Sequence, residues 1–219
     1  MAQTQLKPRM LRVIAGLKKE FPEAKIRLNF NSPYELLVAT ILSAQCTDDR
    51  VNIVTPALFK KYPGPREMAA APIGKIQELV RSTGFYQAKS LSIKESSIAI
   101  VRDHGGEVPR TIEQLVRLRG VGRKTANVVL GNAFGRPGIV VDRHFARVTG
   151  RMGFTKSVDP VEIEFEMMEI VPEKDWTPLS HLLVFHGRKH CKARNPACKS
   201  CPVEQDCVKD FDHGKKTRR

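Results

Sequence analysis

The sequence predicts an all-α protein. Three observations support this: few stretches alternate apolar and polar residues, apolar residues recur at helical spacing, and Pro and Gly separate the periodic segments. In residues 10–21, Leu11, Ile14, Leu17 and Phe21 are expected to share one helical face. Ser32-Pro33 opens a mostly apolar helix to residue 44, with Ser at the N-cap and Pro in the first turn. A helical run over 88–101 follows the break at Gly84. A short helical piece over 111–118 meets a Gly-x-Gly turn, and a helix carrying Ala126, Val129, Leu130 and Ala133 begins at once. Asp142 can cap a helix bearing Phe145, Val148 and Met152, and Pro160 can start another. No internal repeat is visible, and the polar, basic tail 210–219 is expected to fray.

The 219 residues suit one large domain or two small ones. Thirty-seven Lys and Arg against 23 acidic residues give a net charge of +14. Such an excess favours a polyanionic partner, nucleic acid first. A membrane surface fits less well, because the basic residues are scattered rather than gathered on one amphipathic helix. The N-terminal segment lacks the apolar run of a signal peptide, and LLVATIL (36–42) is too short to span a bilayer. A cytosolic setting with reduced thiols is therefore expected. Four of five cysteines, Cys191, Cys198, Cys201 and Cys207, crowd into CKARNPACKSCPVEQDC, and metal ligation is the expected use. The spacing alone suits zinc or an iron–sulfur cluster. His186 and His190 lie nearby and read as helix-face or solvent histidines; Cys46 reads as a small buried residue.

The central motif is LRGVGRKTANVVL, residues 118–130. Gly120 and Gly122 let the backbone approach an anion, and the free N–H groups opening the second helix aim at it. Arg119, Arg123 and Lys124 flank the turn, so phosphate binding is preferred to a plain helix corner. Lys124 sits at the positive end of the helix dipole beside two arginines, a placement that favours the uncharged, nucleophilic amine; on the residues alone a solvated or phosphate-binding lysine is the commoner case.

This hairpin, VDRHFARV (141–148) with Asp142 18 residues after Lys124, and C-x6-C-x2-C-x5-C together resemble the endonuclease III family. These are DNA glycosylases with AP lyase activity, of the helix-hairpin-helix superfamily. The likeness runs from about residue 10 to residue 207 and includes LLVATILSAQCTDDRVN (36–52) and GFYQAKS (84–90). It implies two helical domains flanking a DNA-binding groove: a helical barrel over 26–136 with the hairpin, and 1–25 plus 137–219 holding a [4Fe–4S] cluster. The four cysteines match the family's cluster ligands.

The resemblance also assigns roles. Double-stranded damaged DNA is the implied partner, with no membrane and no second subunit, in a bacterial cytoplasm at the nucleoid. A base in a duplex must be flipped out, and Gln45 and Phe85 match the residues that fill the vacated stack. Residues alone would make them a helix-end polar group and a core aromatic. Lys124 matches the amine that attacks the sugar C1′ and forms a Schiff base leading to β-elimination; Asp142 matches the assisting carboxylate. The DNA-binding set is Gln45, Phe85, Gly120, Gly122, Arg119 and Arg123, with Lys192, Arg194 and Lys199 gripping phosphates. Oxidised pyrimidines are the implied substrates.

Two positions depart from the family pattern. Arg119 stands where the hairpin usually has proline, and Arg143 follows Asp142 where Thr is common. Altered DNA affinity and substrate range are expected, with unchanged chemistry. The rivals are an adenine-mismatch glycosylase, which lacks the lysine, an 8-oxoguanine glycosylase, which ordinarily lacks the cluster, and a non-catalytic DNA-binding scaffold.

Overall fold

The computed structural model describes residues 3–214, with side chains from residue 5 onward. Among the described residues every regular element is helical. In chain order these are α1 (Gln3–Glu20), α2 (Pro33–Leu42), α3 (Asp48–Lys61), α4 (Pro65–Ala70), α5 (Ile73–Val80), α6 (Tyr86–Asp103), α7 (Ile112–Leu115), α8 (Arg123–Ala133), α9 (Arg143–Arg151), α10 (Pro160–Ile170) and α11 (Trp176–Lys189), with short 3-10 turns between some. The chain divides into two compact units, Arg27–Arg136 and Met1–Ile26 with Pro137–Arg219.

In the unit Arg27–Arg136, α2 is hydrophobic nearly all round and is buried accordingly, from Tyr34 to Leu42 apart from Glu35. Ser32 caps it, its hydroxyl accepting from Glu35 N at 3.2 Å, and Pro33 fixes the first turn. Against α2 pack α3, α6 and α8, while α4 and α5 lie on α6. Leu36, Leu37, Leu58, Met68, Ile76, Ile93, Ile100 and Leu115 are fully enclosed. Each such side chain contributes about 1.5–3 kcal/mol by leaving water. Helices α3 to α5 had no counterpart in the sequence reading. Their signals are local: Thr47 caps α3 ahead of Asp48 and Asp49, Lys60 and Lys61 close it, and Pro65 opens α4.

In the other unit, α1 packs on α10 and α11, and α9 on α11. The buried face of α1 is Met10, Val13, Ile14 and Leu17, with Phe21 just beyond; Leu11 is 42 % exposed. Ile14, Leu17 and Phe21 thus share the buried face as expected, Met10 and Val13 complete it, and Leu11 falls outside it, about 100° round from Met10. These side chains meet Phe145, Val148, Ile163, Met167, Leu179 and Leu182 in one core. Buried Arg9 donates to the carbonyls of Met152 (2.7 Å), Gly153 (3.0 Å) and Asp206 (3.0 Å), and its guanidinium lies over Phe154.

The tail departs from expectation as far as it is described. Asp210 N donates to Arg151 O at 2.9 Å and the Arg151 guanidinium lies over the Phe211 ring, so residues 210–214 fold back on α9 rather than fray. Residues 215–219 lie outside the described residues.

Candidate functional site

The hairpin is built as α7, a tight turn and α8. Thr111 caps α7 through Gln114 N (3.3 Å), and the turn closes with Val121 N donating to Leu118 O at 3.1 Å. Gly122 is the N-cap of α8 in extended backbone and offers no side chain to the helix. The N–H groups at the start of α8 have no acceptor within the helix, and they carry the positive end of its dipole.

The two glycines serve different needs. Gly120 has φ +75°, and a Cβ there would stand 2.7 Å from Ser92 Cβ. Backbone handedness and close packing on α6 both demand glycine. Gly122 has φ −92°, and a Cβ there would meet nothing within 4 Å. Its backbone is open to a ligand.

Arg119 is not a lone cation: it pairs with Glu95 of α6 at 3.0 Å, while its carbonyl accepts from Ser96 Oγ at 2.8 Å. The pair is exposed, so its energetic weight is small. Arg123 is half-buried at the first position of α8. Lys124 follows it, exposed, and makes no ion pair or side-chain hydrogen bond among the described residues.

Two non-glycine residues of the same unit hold left-handed backbone: Gln45 at φ 52° and Phe85 at φ 46°. Each such conformation costs on the order of 1–3 kcal/mol and persists only where its surroundings enforce it. Gln45 is exposed just past α2. Phe85 is the N-cap of α6 and 68 % exposed, so the residue-level reading of a core aromatic is overturned. The left-handed backbone turns the ring outward, and no local signal beyond the preceding Gly84 announces it. Cys46 is half-buried rather than enclosed.

Asp142 does cap α9. Its Oδ1 accepts from both His144 N and Phe145 N at 2.8 Å, and no described donor reaches Oδ2. One oxygen is committed to the helix and the other is available. Arg143 is exposed beside it.

Cys191, Cys198, Cys201 and Cys207 are unbridged and half-buried, and all four line one small cavity with His186, His190 and Arg151. Burial, and then the neighbouring cysteines, push the thiols of Cys201 and Cys207 up. A cationic group among them would reverse that effect. No three Cys, His, Asp or Glu side chains among the described residues are grouped tightly enough for one metal ion. Four soft thiolate donors lining one cavity suit zinc or an iron–sulfur cluster.

His186 and His190 are both buried, not solvent residues, and their rings stack at 5.5 Å. Burial, with His190 adding to it, pushes the His186 pKa down to about 4, so its ring is neutral; Nε2 lies 3.8 Å from Cys201 Sγ. Two arginines of α9 also escaped the sequence reading. Arg147 donates to Cys191 O and Gly187 O at 3.0 Å, and Arg151 to Lys192 O at 2.7 Å and Ala193 O at 3.0 Å. Their i, i+4 spacing was the available signal, but it reads equally as a solvated basic face. Lys192, Arg194 and Lys199 are exposed on the cysteine loop.

The chain is similar to proteins of known family over most of its length. Residues 38–173 match the family model of the HhH-GPD superfamily base excision DNA repair protein. The chain is 46 % identical over 202 residues to endonuclease III of Synechocystis sp., covering 92 % of each chain. It is 47 % identical over 197 residues to endonuclease III of Bacillus subtilis, covering 90 % of each. A solved structure of a trapped endonuclease III–DNA covalent intermediate superposes with a TM-score of 0.87 at 42 % identity, over 93 % of this chain and 96 % of that one.

Proposed function

The chain belongs to the endonuclease III family of helix-hairpin-helix base excision DNA repair enzymes, and we propose that it excises oxidised pyrimidines from double-stranded DNA and then cleaves the abasic strand. It is a glycosylase with AP lyase activity. The observation that carries the residue assignment is Lys124: an exposed, unpaired amine in the first turn of α8, beside a hairpin whose N–H groups lack acceptors. The proposed setting is a monomer in a bacterial cytoplasm, at the nucleoid. Among the described residues no helix is long and apolar enough to cross a membrane.

In this reading the hairpin backbone holds a phosphate, which positions the strand without reading its sequence. Gln45 and Phe85, exposed on strained backbone, occupy the space left by the flipped nucleotide. The nitrogen of Lys124 attacks C1′, the bond from C1′ to the base breaks, and the base leaves with the electron pair. The new C–N bond's nitrogen gives up a proton, the C1′–O4′ bond breaks as O4′ takes a proton up, and the nitrogen's electron pair completes the C=N bond of a protonated Schiff base on the opened sugar. That acidifies C2′, and removal of a C2′ proton expels the 3′ phosphate, cutting the strand by β-elimination. Oδ2 of Asp142 stabilises the cationic sugar as the base departs and assists proton transfer. Lys192, Arg194 and Lys199 supply further phosphate contacts, which makes binding fall steeply with salt.

The direct test incubates the protein with a duplex carrying an oxidised pyrimidine in the presence of borohydride. A covalent adduct and strand cleavage are expected; tight binding with neither would leave a DNA-binding scaffold.

Cys191, Cys198, Cys201 and Cys207 are proposed to hold a [4Fe–4S] cluster. When bound, the cluster cross-links the loop that bears the three basic residues and fixes its shape. The purified protein is expected to be yellow-brown and EPR-silent at rest, with iron and sulfide on analysis. Zinc without iron would contradict this.

The glycines give a paired prediction. Gly120→Ala is expected to destabilise the fold by about 2 kcal/mol or more, from handedness and the clash with Ser92 together. Gly122→Ala is expected to leave the melting temperature unchanged and to weaken DNA binding. Thermal melts and binding isotherms of both variants check the split.

A further inference from the structure

We infer that Lys89 is a positioning residue for Phe85: it clamps the strained turn that presents the ring. The inference rests on the proposed role of Phe85 as a gap-filling residue. Lys89 is 5 % exposed, an unusual place for a lysine. From the first turns of α6 its Nζ donates to Thr83 O at 2.7 Å, while its backbone N–H donates to Phe85 O at 3.1 Å. Those two carbonyls bracket Gly84 (φ 69°) and Phe85 (φ 46°), the consecutive positive-φ residues of the turn. One residue thus ties both ends of the strained pair.

The base of the clamp is itself fixed. Thr83 is buried and its hydroxyl donates to Val80 O at 2.8 Å. Nothing comparable holds the Phe85 ring, which is largely in solvent, so its direction depends on the backbone. Burial lowers the Lys89 pKa. A packing role alone would be met by an apolar side chain of the same length; the ammonium at Thr83 O is what such a residue lacks. Lys89 Nζ is enclosed, so it touches no substrate.

The test compares Lys89→Met and Lys89→Arg with wild type on an abasic site in duplex and in single-stranded DNA, where there is no opposite strand to close. Single-turnover cleavage is measured, together with the fluorescence of 2-aminopurine opposite the site as a report on stack filling. Lys89→Met is expected to lower duplex cleavage about tenfold and to reduce the 2-aminopurine signal. Its single-strand cleavage should stay within about twofold of wild type, and Lys89→Arg should recover most of the duplex rate. Parallel loss on both substrates, or an unchanged duplex rate and signal, overturns the inference. If wild type cleaves neither substrate, the proposed function fails instead.

Discussion

Replacing Lys124 by Gln is expected to abolish the borohydride-trapped adduct and to lower base release by about 10⁴-fold or more, as loss of an attacking nucleophile does. Stability should move the other way. Lys124 is exposed, makes no ion pair or side-chain hydrogen bond among the described residues and sits at the second position of α8, where the helix dipole disfavours a cation. A neutral Gln should leave the melting temperature unchanged or raise it slightly, by a few tenths of a kcal/mol. Because the fold does not need this lysine, an inactive variant cannot be explained by unfolding. A Lys124→Gln protein that still formed the adduct would place the nucleophile elsewhere.

Asp142→Asn is expected to bind damaged duplex as wild type does while releasing base about 10²- to 10⁴-fold more slowly. The cap explains why the test is clean. Oδ1 serves His144 N and Phe145 N, and an Asn side-chain oxygen can accept the same two bonds, so α9 keeps its start. What is lost is the negative charge that Oδ2 would offer to the sugar. Asp142→Ala removes cap and charge together and should add about 1 kcal/mol of destabilisation to the same loss of rate. Melting curves beside single-turnover base release separate the two effects. Wild-type turnover by Asp142→Asn would reduce Asp142 to a cap.

The starts of α2, α9 and α10 were legible because their causes lie within a few residues. Ser32 and Asp142 cap through their own first turns, and Pro33 and Pro160 sit at the opening of their helices. The hairpin was legible for the same reason, and so was the crowding of four thiols. Phe85 shows the limit. Its left-handed backbone is held by contacts around Thr83 and Lys89, and nothing in the residue type distinguishes an outward ring from a core one.

The sequence by itself determined the helical class, the starts of α2, α9 and α10, the hairpin and the four-cysteine set, since periodicity, capping and spacing are short-range properties. Tertiary structure alone decided which glycine is forced by packing and which is open, and that Arg119 has an anionic partner. It also decided that Arg9, Arg147 and Arg151 grip carbonyls 40 to 197 residues away and that His186 and His190 are buried. The physical reason is that burial and hydrogen-bond partners are set by segments distant along the chain, and a long polar side chain reads the same locally whether it meets water, phosphate or a backbone carbonyl.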